Sequence, residues 1–223
     1  MSGLQSPAAD SRVSERIREE RIIAILRGVP IEHLATLGQA LWRGGFRVAE
    51  ITFTDDDAED KIALLGKSLG NDALVGAGTV TNAETARRAV EAGARFLVTP
   101  HVVDEVSAFG RDNGVHVISG ALTPGEIALA RSQGNALVKV FPAKMVGPDY
   151  IRALRGPYPD AELVAVGGIE EGDVRPFLHA GAVAVGIGGT LTRLDWDAPD
   201  FDHVHALATR LVSLVAASRV EST

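Results

Sequence analysis

Leu163-Val164-Ala165-Val166-Gly167-Gly168 is a short apolar run closed by a glycine pair. The pattern returns at Ala182-Val183-Ala184-Val185-Gly186-Ile187-Gly188-Gly189-Thr190, after an amphipathic stretch that starts near Glu170 and stops at Ala180-Gly181. Apolar runs of this length, bounded by glycine and alternating with stretches of helical period, read as buried strands joined by helices. Outward from this pair the same unit recurs. Ile22 to Leu26, Arg47 to Thr52, Ala73 to Gly76, Phe96 to Thr99, Val115 to Ile118 and Leu137 to Phe141 are the earlier strand candidates; Leu163 to Val166 and Ala182 to Ile187 bring the total to eight. Helix candidates start near Ile31, Asp56, Asn82, Val103, Thr123, Gly147, Glu170 and Phe201. Strand followed by helix eight times in 223 residues predicts an α/β fold, a (β/α)8 TIM barrel in preference to an open doubly wound sheet. Gly44-Gly45, Ala92-Gly93 and Ala180-Gly181 fall just before strands, where a helix must end on a residue that tolerates positive φ.

Met1 to Asp10 is rich in Ser, Ala and Pro and is expected to be a disordered tail; Ser11 to Glu20 reads as a polar N-terminal helix. Nothing further along marks an interdomain linker, so residues 11–223 are expected to form one domain. Hydrophobic residues make up 46% and aromatics 5%, which predicts an aliphatic core. The absence of cysteine excludes disulfides, thiolate metal sites and cysteine nucleophiles together. A net charge of −7 argues against a nucleic-acid surface, although the arginines could still form a local anion site. No apolar stretch reaches the length of a membrane span and the first residues lack a signal-peptide core, so no membrane partner and a cytoplasmic location are expected.

In a barrel the active site lies where the strands end, so the residues closing each apolar run decide the chemistry. Lys139, one of four lysines, stands inside Ala136-Leu137-Val138-Lys139-Val140-Phe141-Pro142. Burying an ammonium among aliphatic side chains is costly, and a depressed pKa that leaves a neutral amine is the usual escape. A neutral buried amine is a nucleophile toward carbonyls, by way of a Schiff base. The structural alternative is a lysine that snorkels to the rim or pairs with a carboxylate. Glu50 interrupts Val48-Ala49-Glu50-Ile51-Thr52-Phe53 in the same way. It is either a proton shuttle whose pKa burial raises, or one half of an ion pair with Lys139 or Arg27. Gly167, Gly168, Gly188, Gly189 and Thr190 close strands seven and eight, where barrels commonly bind phosphate on backbone N–H groups; plain tight turns are the alternative. Arg27 could add a charged contact to a substrate anion or form a surface salt bridge. Asp55-Asp56-Asp57 precedes a helix and is expected to cap it rather than to hold a metal. His101 is expected on the rim after strand four, and Trp42 and Trp196 are expected to pack.

Taken together, Glu50-Ile51-Thr52-Phe53, Gly76-Ala77-Gly78-Thr79-Val80, Val98-Thr99-Pro100, Lys139-Val140-Phe141-Pro142-Ala143 and Val166-Gly167-Gly168-Ile169 occur in this order along the chain. In this the sequence resembles the 2-keto-3-deoxy-6-phosphogluconate (KDPG) and 4-hydroxy-2-oxoglutarate (KHG) aldolases, with the 2-keto-3-deoxy-6-phosphogalactonate aldolases among them. The resemblance runs from Ile22 to Thr190. It implies a class I lyase releasing pyruvate and glyceraldehyde 3-phosphate, with Lys139 as the Schiff-base lysine, Glu50 as general acid/base and Thr79 on the pyruvyl carboxylate. It further implies Pro100 and Phe141 as substrate contacts, Arg27 with the two glycine turns at the anionic end, no metal or other cofactor, and a homotrimer.

Three positions depart from that pattern. Thr54 stands where many members carry a carboxylate-binding arginine, Val166 where threonine is frequent, a choice associated more with the phosphogalactonate branch, and Ser119 where proline often precedes the glycine ending strand five. Two other readings share these features. A phosphosugar isomerase or epimerase would keep the glycine turns but leave Lys139 without a role, and a non-catalytic phosphate-ligand binding barrel would use Lys139 only to neutralise a carboxylate.

Overall fold

The computed structural model describes residues 7–70 and 72–220. Eight parallel strands close into a barrel in chain order, the last pairing with the first. They are β1 (Ile22–Leu26), β2 (Val48–Thr52), β3 (Leu74–Gly78), β4 (Phe96–Val98), β5 (His116–Ala121), β6 (Leu137–Val140), β7 (Glu162–Val166) and β8 (Ala184–Ile187). The helices are α1 (Pro7–Glu20), α2 (Ile31–Arg43), α3 (Ala58–Leu69), α4 (Ala83–Glu91), α5 (Asp104–Asn113), α6 (Pro124–Ser132), α7 (Ala143–Val146), α8 (Pro148–Leu154), α9 (Val174–His179), α10 (Gly189–Thr192) and α11 (Phe201–Val220). The helix α1 begins at Pro7, so the last part of the stretch expected to be tail is helical. Proline at a first helical position gives up only an N–H that would have lacked a partner. The rest of the expected tail lies outside the described residues.

Alternation along each strand builds two apolar layers. Ile22, Ala24 and Leu26 belong to the layer between sheet and helices, while Ile23 and Ile25 join Val48, Phe96, Ile118, Leu137 and Val164 inside the barrel. Val13 and Ile17 of α1 pack onto that inner cluster, so α1 plugs one end of the barrel. Ile17 is wholly buried there, worth about 2 kcal/mol of apolar burial. Arg18 locks the plug through a two-pronged pair with Glu162 at the start of β7, at 2.6 and 2.7 Å. The opposite end stays open.

Several strands start one or two residues away from the sequence reading, and two lengthen at the open end. β3 and β5 run past Gly76 and Ile118 through Gly78 and through Ser119-Gly120-Ala121, residues too small or polar to continue an apolar run. Their smallness makes room: a methyl on Gly78 would strike the Glu50 carboxylate, and one on Gly120 the backbone of Pro100. Two helix starts are fixed by side-chain caps. The Asn82 side chain accepts from the Thr85 N–H at 2.7 Å, and Thr123 and Glu126 form a capping box on α6. The acidic run before α3 behaves differently from its expected role. Asp57 occupies the cap position without a side-chain cap bond; instead Asp55 and Asp57 clamp the buried Lys61 at 2.8 and 2.7 Å.

Candidate active site

Strand register brings Glu50 beside Ile25 and Gly76, and Lys139 beside Gly120 and Val164. Both side chains point into the barrel and are 3% and 5% exposed. They end in a cavity of about 370 Å³ at the open end, whose wall also holds Arg27, Phe141, Gly167, Gly168, Gly188, Gly189 and Thr190. Of the residues anticipated from sequence, Thr79, Pro100 and His101 are not in that wall. Thr79 stands behind it, its hydroxyl accepting from Arg27 Nη2 at 3.2 Å. It has φ of 60°, a left-handed conformation that a β-branched side chain adopts only under constraint. Pro100 lies against Gly120, and the Thr99 hydroxyl ties this corner together by donating to the His101 carbonyl at 2.6 Å and accepting the Gly120 N–H at 2.9 Å.

The electrostatics of the two buried groups converge. Burial pulls the Lys139 amine below the ordinary lysine value; the carboxylate of Glu50 pulls the other way and the charge of Arg27 adds to the lowering. Burial pushes the Glu50 carboxyl up, against the opposing charges of Lys139 and Arg27. Among the described residues neither side chain is held in a direct ion pair, so each acts on the other through space. Lys139 Nζ lies 5.0 Å from the centre of the Phe141 ring. That ring is partly exposed and crosses the β7 turn, where any side chain at Gly167 would meet it at 2.8 Å. A desolvated amine and a carboxyl whose proton affinities have moved toward one another are suited to nucleophilic attack and proton relay at one carbon centre.

The other side of the cavity is formed by the two glycine turns. Gly167 and Gly168 have φ of 102° and 76°, values that L side chains rarely take, and the second glycine turn faces them from β8. Two charged wall residues were not anticipated, Glu170 and Arg193. Arg193 Nη2 lies 4.0 Å from Glu170 Oε1, and Lys144 Nζ lies 3.9 Å from Glu170 and 2.6 Å from Asp173. Nothing in sequence marks Arg193, a single arginine past a glycine turn; only the folding of α10 turns it to the rim. Among the described residues no three His, Asp or Glu side chains gather as metal ligands, and no helix is long and apolar enough to cross a membrane.

Comparison with known proteins agrees with this geometry. The family model described as KDPG and KHG aldolase matches residues 13–207. The chain is 35% identical over 174 residues to 2-dehydro-3-deoxy-6-phosphogalactonate aldolase of Escherichia coli (strain K12), covering 77% of this chain and 84% of that one. Among solved structures it superposes on a native KDPGal structure with a TM-score of 0.82 and 28% identity, over 89% of this chain and 96% of the other. It also superposes on KDPG aldolase from Legionella pneumophila, with pyruvate captured as a covalent carbinolamine intermediate, with a TM-score of 0.74 and 25% identity, over 96% and 98% of the two chains. With the family model matched from α1 into α11 and a relative above 30% identity over most of both chains, this protein belongs to the KDPG and KHG aldolase family.

Proposed function

We propose that the protein is a Schiff-base aldolase that cleaves a 2-keto-3-deoxy-6-phospho sugar acid to pyruvate and glyceraldehyde 3-phosphate. The observation that carries this is Lys139, a buried amine with no ion-pair partner among the described residues, sharing one cavity with Glu50 and the two glycine turns. Neutral Lys139 Nζ attacks the C2 ketone, water leaves, and the resulting protonated imine is the electron sink. Glu50 relays the protons of imine formation and then takes the C4 hydroxyl proton as the C3–C4 bond breaks. Glyceraldehyde 3-phosphate departs; the enamine left on Lys139 is protonated and hydrolysed to pyruvate.

Arg27, the two glycine turns and Arg193 hold the phosphorylated end, and the Phe141 ring covers one side of the bound keto acid. Thr79 contributes by fixing Arg27, and Pro100 by supporting the strand next to Lys139. Val166 in the cavity wall favours the galactonate epimer over the gluconate epimer, with 4-hydroxy-2-oxoglutarate as a further candidate substrate. The enzyme works in the cytoplasm without metal or other cofactor, as a homotrimer. An isomerase gives Lys139 no task, and the binding-barrel reading, in which Lys139 only neutralises a carboxylate, is disfavoured because Glu50 acts on it through space and not in contact. The deciding experiment is incubation with pyruvate and sodium borohydride, then intact-protein mass spectrometry and peptide mapping. A reduced pyruvyl adduct on Lys139 is the expected result; pyruvate that binds without leaving an adduct would refute the mechanism.

A further inference from the structure

The plugged end of the barrel carries a second concavity, of about 500 Å³, between α1, α8, α9 and the start of β8. Three of its wall residues are arginines, in a protein of net charge −7. Each guanidinium is held in place. Arg18 is fixed by its two-pronged pair with Glu162. Arg155 lies across Gly181, where any side chain would collide with it, and donates to the carbonyls of Gly181 and Pro159 at 3.4 and 3.3 Å. Arg21 donates to the Val183 carbonyl at 3.4 Å. Among the described residues neither Arg21 nor Arg155 meets a carboxylate, although both line this one hollow.

Arg21 also carries a local cost. Its φ is 58°, the left-handed region in which glycine would sit without strain. Burial, and after it the positive charge of Arg219, pull its pKa below the ordinary arginine value. A long cationic side chain thus occupies a left-handed backbone position in the same hollow as Arg155. Planar guanidinium forks match phosphate oxygens two at a time.

The geometry points to a second anion site here, separate from the catalytic cavity at the other end of the strands, that binds a small phosphorylated metabolite of at least two negative charges through Arg21 and Arg155. Its position does not depend on the aldolase reading. The test is isothermal titration of the full chain with inorganic pyrophosphate at low ionic strength, where such contacts are least screened. Arg21→Gly removes the charge while relaxing the backbone, so its melting temperature should be no lower than that of the parent. One binding event is expected to weaken at least tenfold in both Arg21→Gly and Arg155→Glu and to survive in Arg27→Ala, which alters only the catalytic end. Arg87→Glu, on the exposed face of α4, should change that event by less than twofold. Affinity unchanged in Arg21→Gly and Arg155→Glu, no event surviving in Arg27→Ala, or an equal loss in Arg87→Glu would each overturn the proposal.

Discussion

Two of the four lysines in this chain are buried, and the two regions that bury them do so in opposite ways. Lys61, on α3, is 4% exposed and its ammonium sits between Asp55 and Asp57 at 2.8 and 2.7 Å. Lys139, on β6, is equally enclosed but faces an aromatic ring and a carboxyl that does not contact it. Burial works downward on the pKa of both. At Lys61 the hydrogen bonds it donates to Asp55 and Asp57, together with their charges, outweigh it, and the pKa ends above the ordinary value; at Lys139 the more distant charge of Glu50 does not, and the pKa ends below it. A buried lysine is therefore not in itself a sign of amine chemistry. The distinguishing feature is whether the fold supplies a carboxylate in contact, because contact keeps the charge and its absence favours the free amine.

The largest effect that could break this contrast is at Lys139. Lys139→Met should lower turnover by at least about 10⁴-fold and abolish borohydride trapping of pyruvate, since among the described residues no other lysine lines the cavity. Its melting temperature should equal or exceed that of the parent, because the change removes a polar group from an apolar wall without stranding a contact partner. Turnover that survives, or a clear loss of stability, would mean that Lys139 is a structural lysine like Lys61. Next in size is Glu50→Gln, which keeps the shape but removes the proton relay. A fall in kcat of about 10²–10⁴-fold is expected, while the slow trapping of pyruvate on Lys139 persists. If trapping vanished with turnover, Glu50 would be needed to place the amine rather than to move protons.

The sequence and the structure agree best where a residue is wrong for its surroundings. Lys139, Glu50 and the glycine pairs after β7 and β8 each break an apolar strand, and a break in a strong pattern can be read without coordinates. The strand order is legible for the same reason, since eight apolar runs separated by amphipathic stretches leave few ways to bury them. Residues that fit their surroundings carry no such mark. Lys61 reads as one more polar position on an amphipathic helix, and its two acidic partners read as a helix cap, so the clamp emerges only from packing. Gly78 and Ser119-Gly120 extend β3 and β5, yet the small side chains that clear space for Glu50 and Pro100 also end the apolar signal. Glu170 and Arg193 reach the cavity through loop and short-helix geometry that periodicity does not encode.

The smallest expected effect sharpens the contrast through pH. Lys61 holds Asp55, and Asp55 accepts the Gly28 N–H at 3.2 Å, immediately after Arg27 in the turn that enters the cavity. Lys61→Met leaves two partly solvated carboxylates without their cation, a loss of about 2 kcal/mol. In a chain of this size that lowers the melting temperature by about 4–8 °C. Trapping of pyruvate on Lys139 should continue at close to the parent rate. The pH dependence must follow the sign of each shift. The folded pKa of Lys61 lies above the ordinary 10.5, so its contribution is complete below pH 10.5 and fades only as pH rises through the folded value. The folded pKa of Lys139 lies below 10.5, so between that value and 10.5 the unfolded chain binds more protons and the penalty of burying Lys139 shrinks as pH rises. Melting curves of the parent, Lys61→Met and Lys139→Met from about pH 7 to 10 should therefore show a constant deficit for the first variant. For the second they should show an advantage, if any, that declines toward pH 10. Two curves of the same slope would show that the two buried lysines share one electrostatic state, and would remove the physical basis for assigning the chemistry to only one of them.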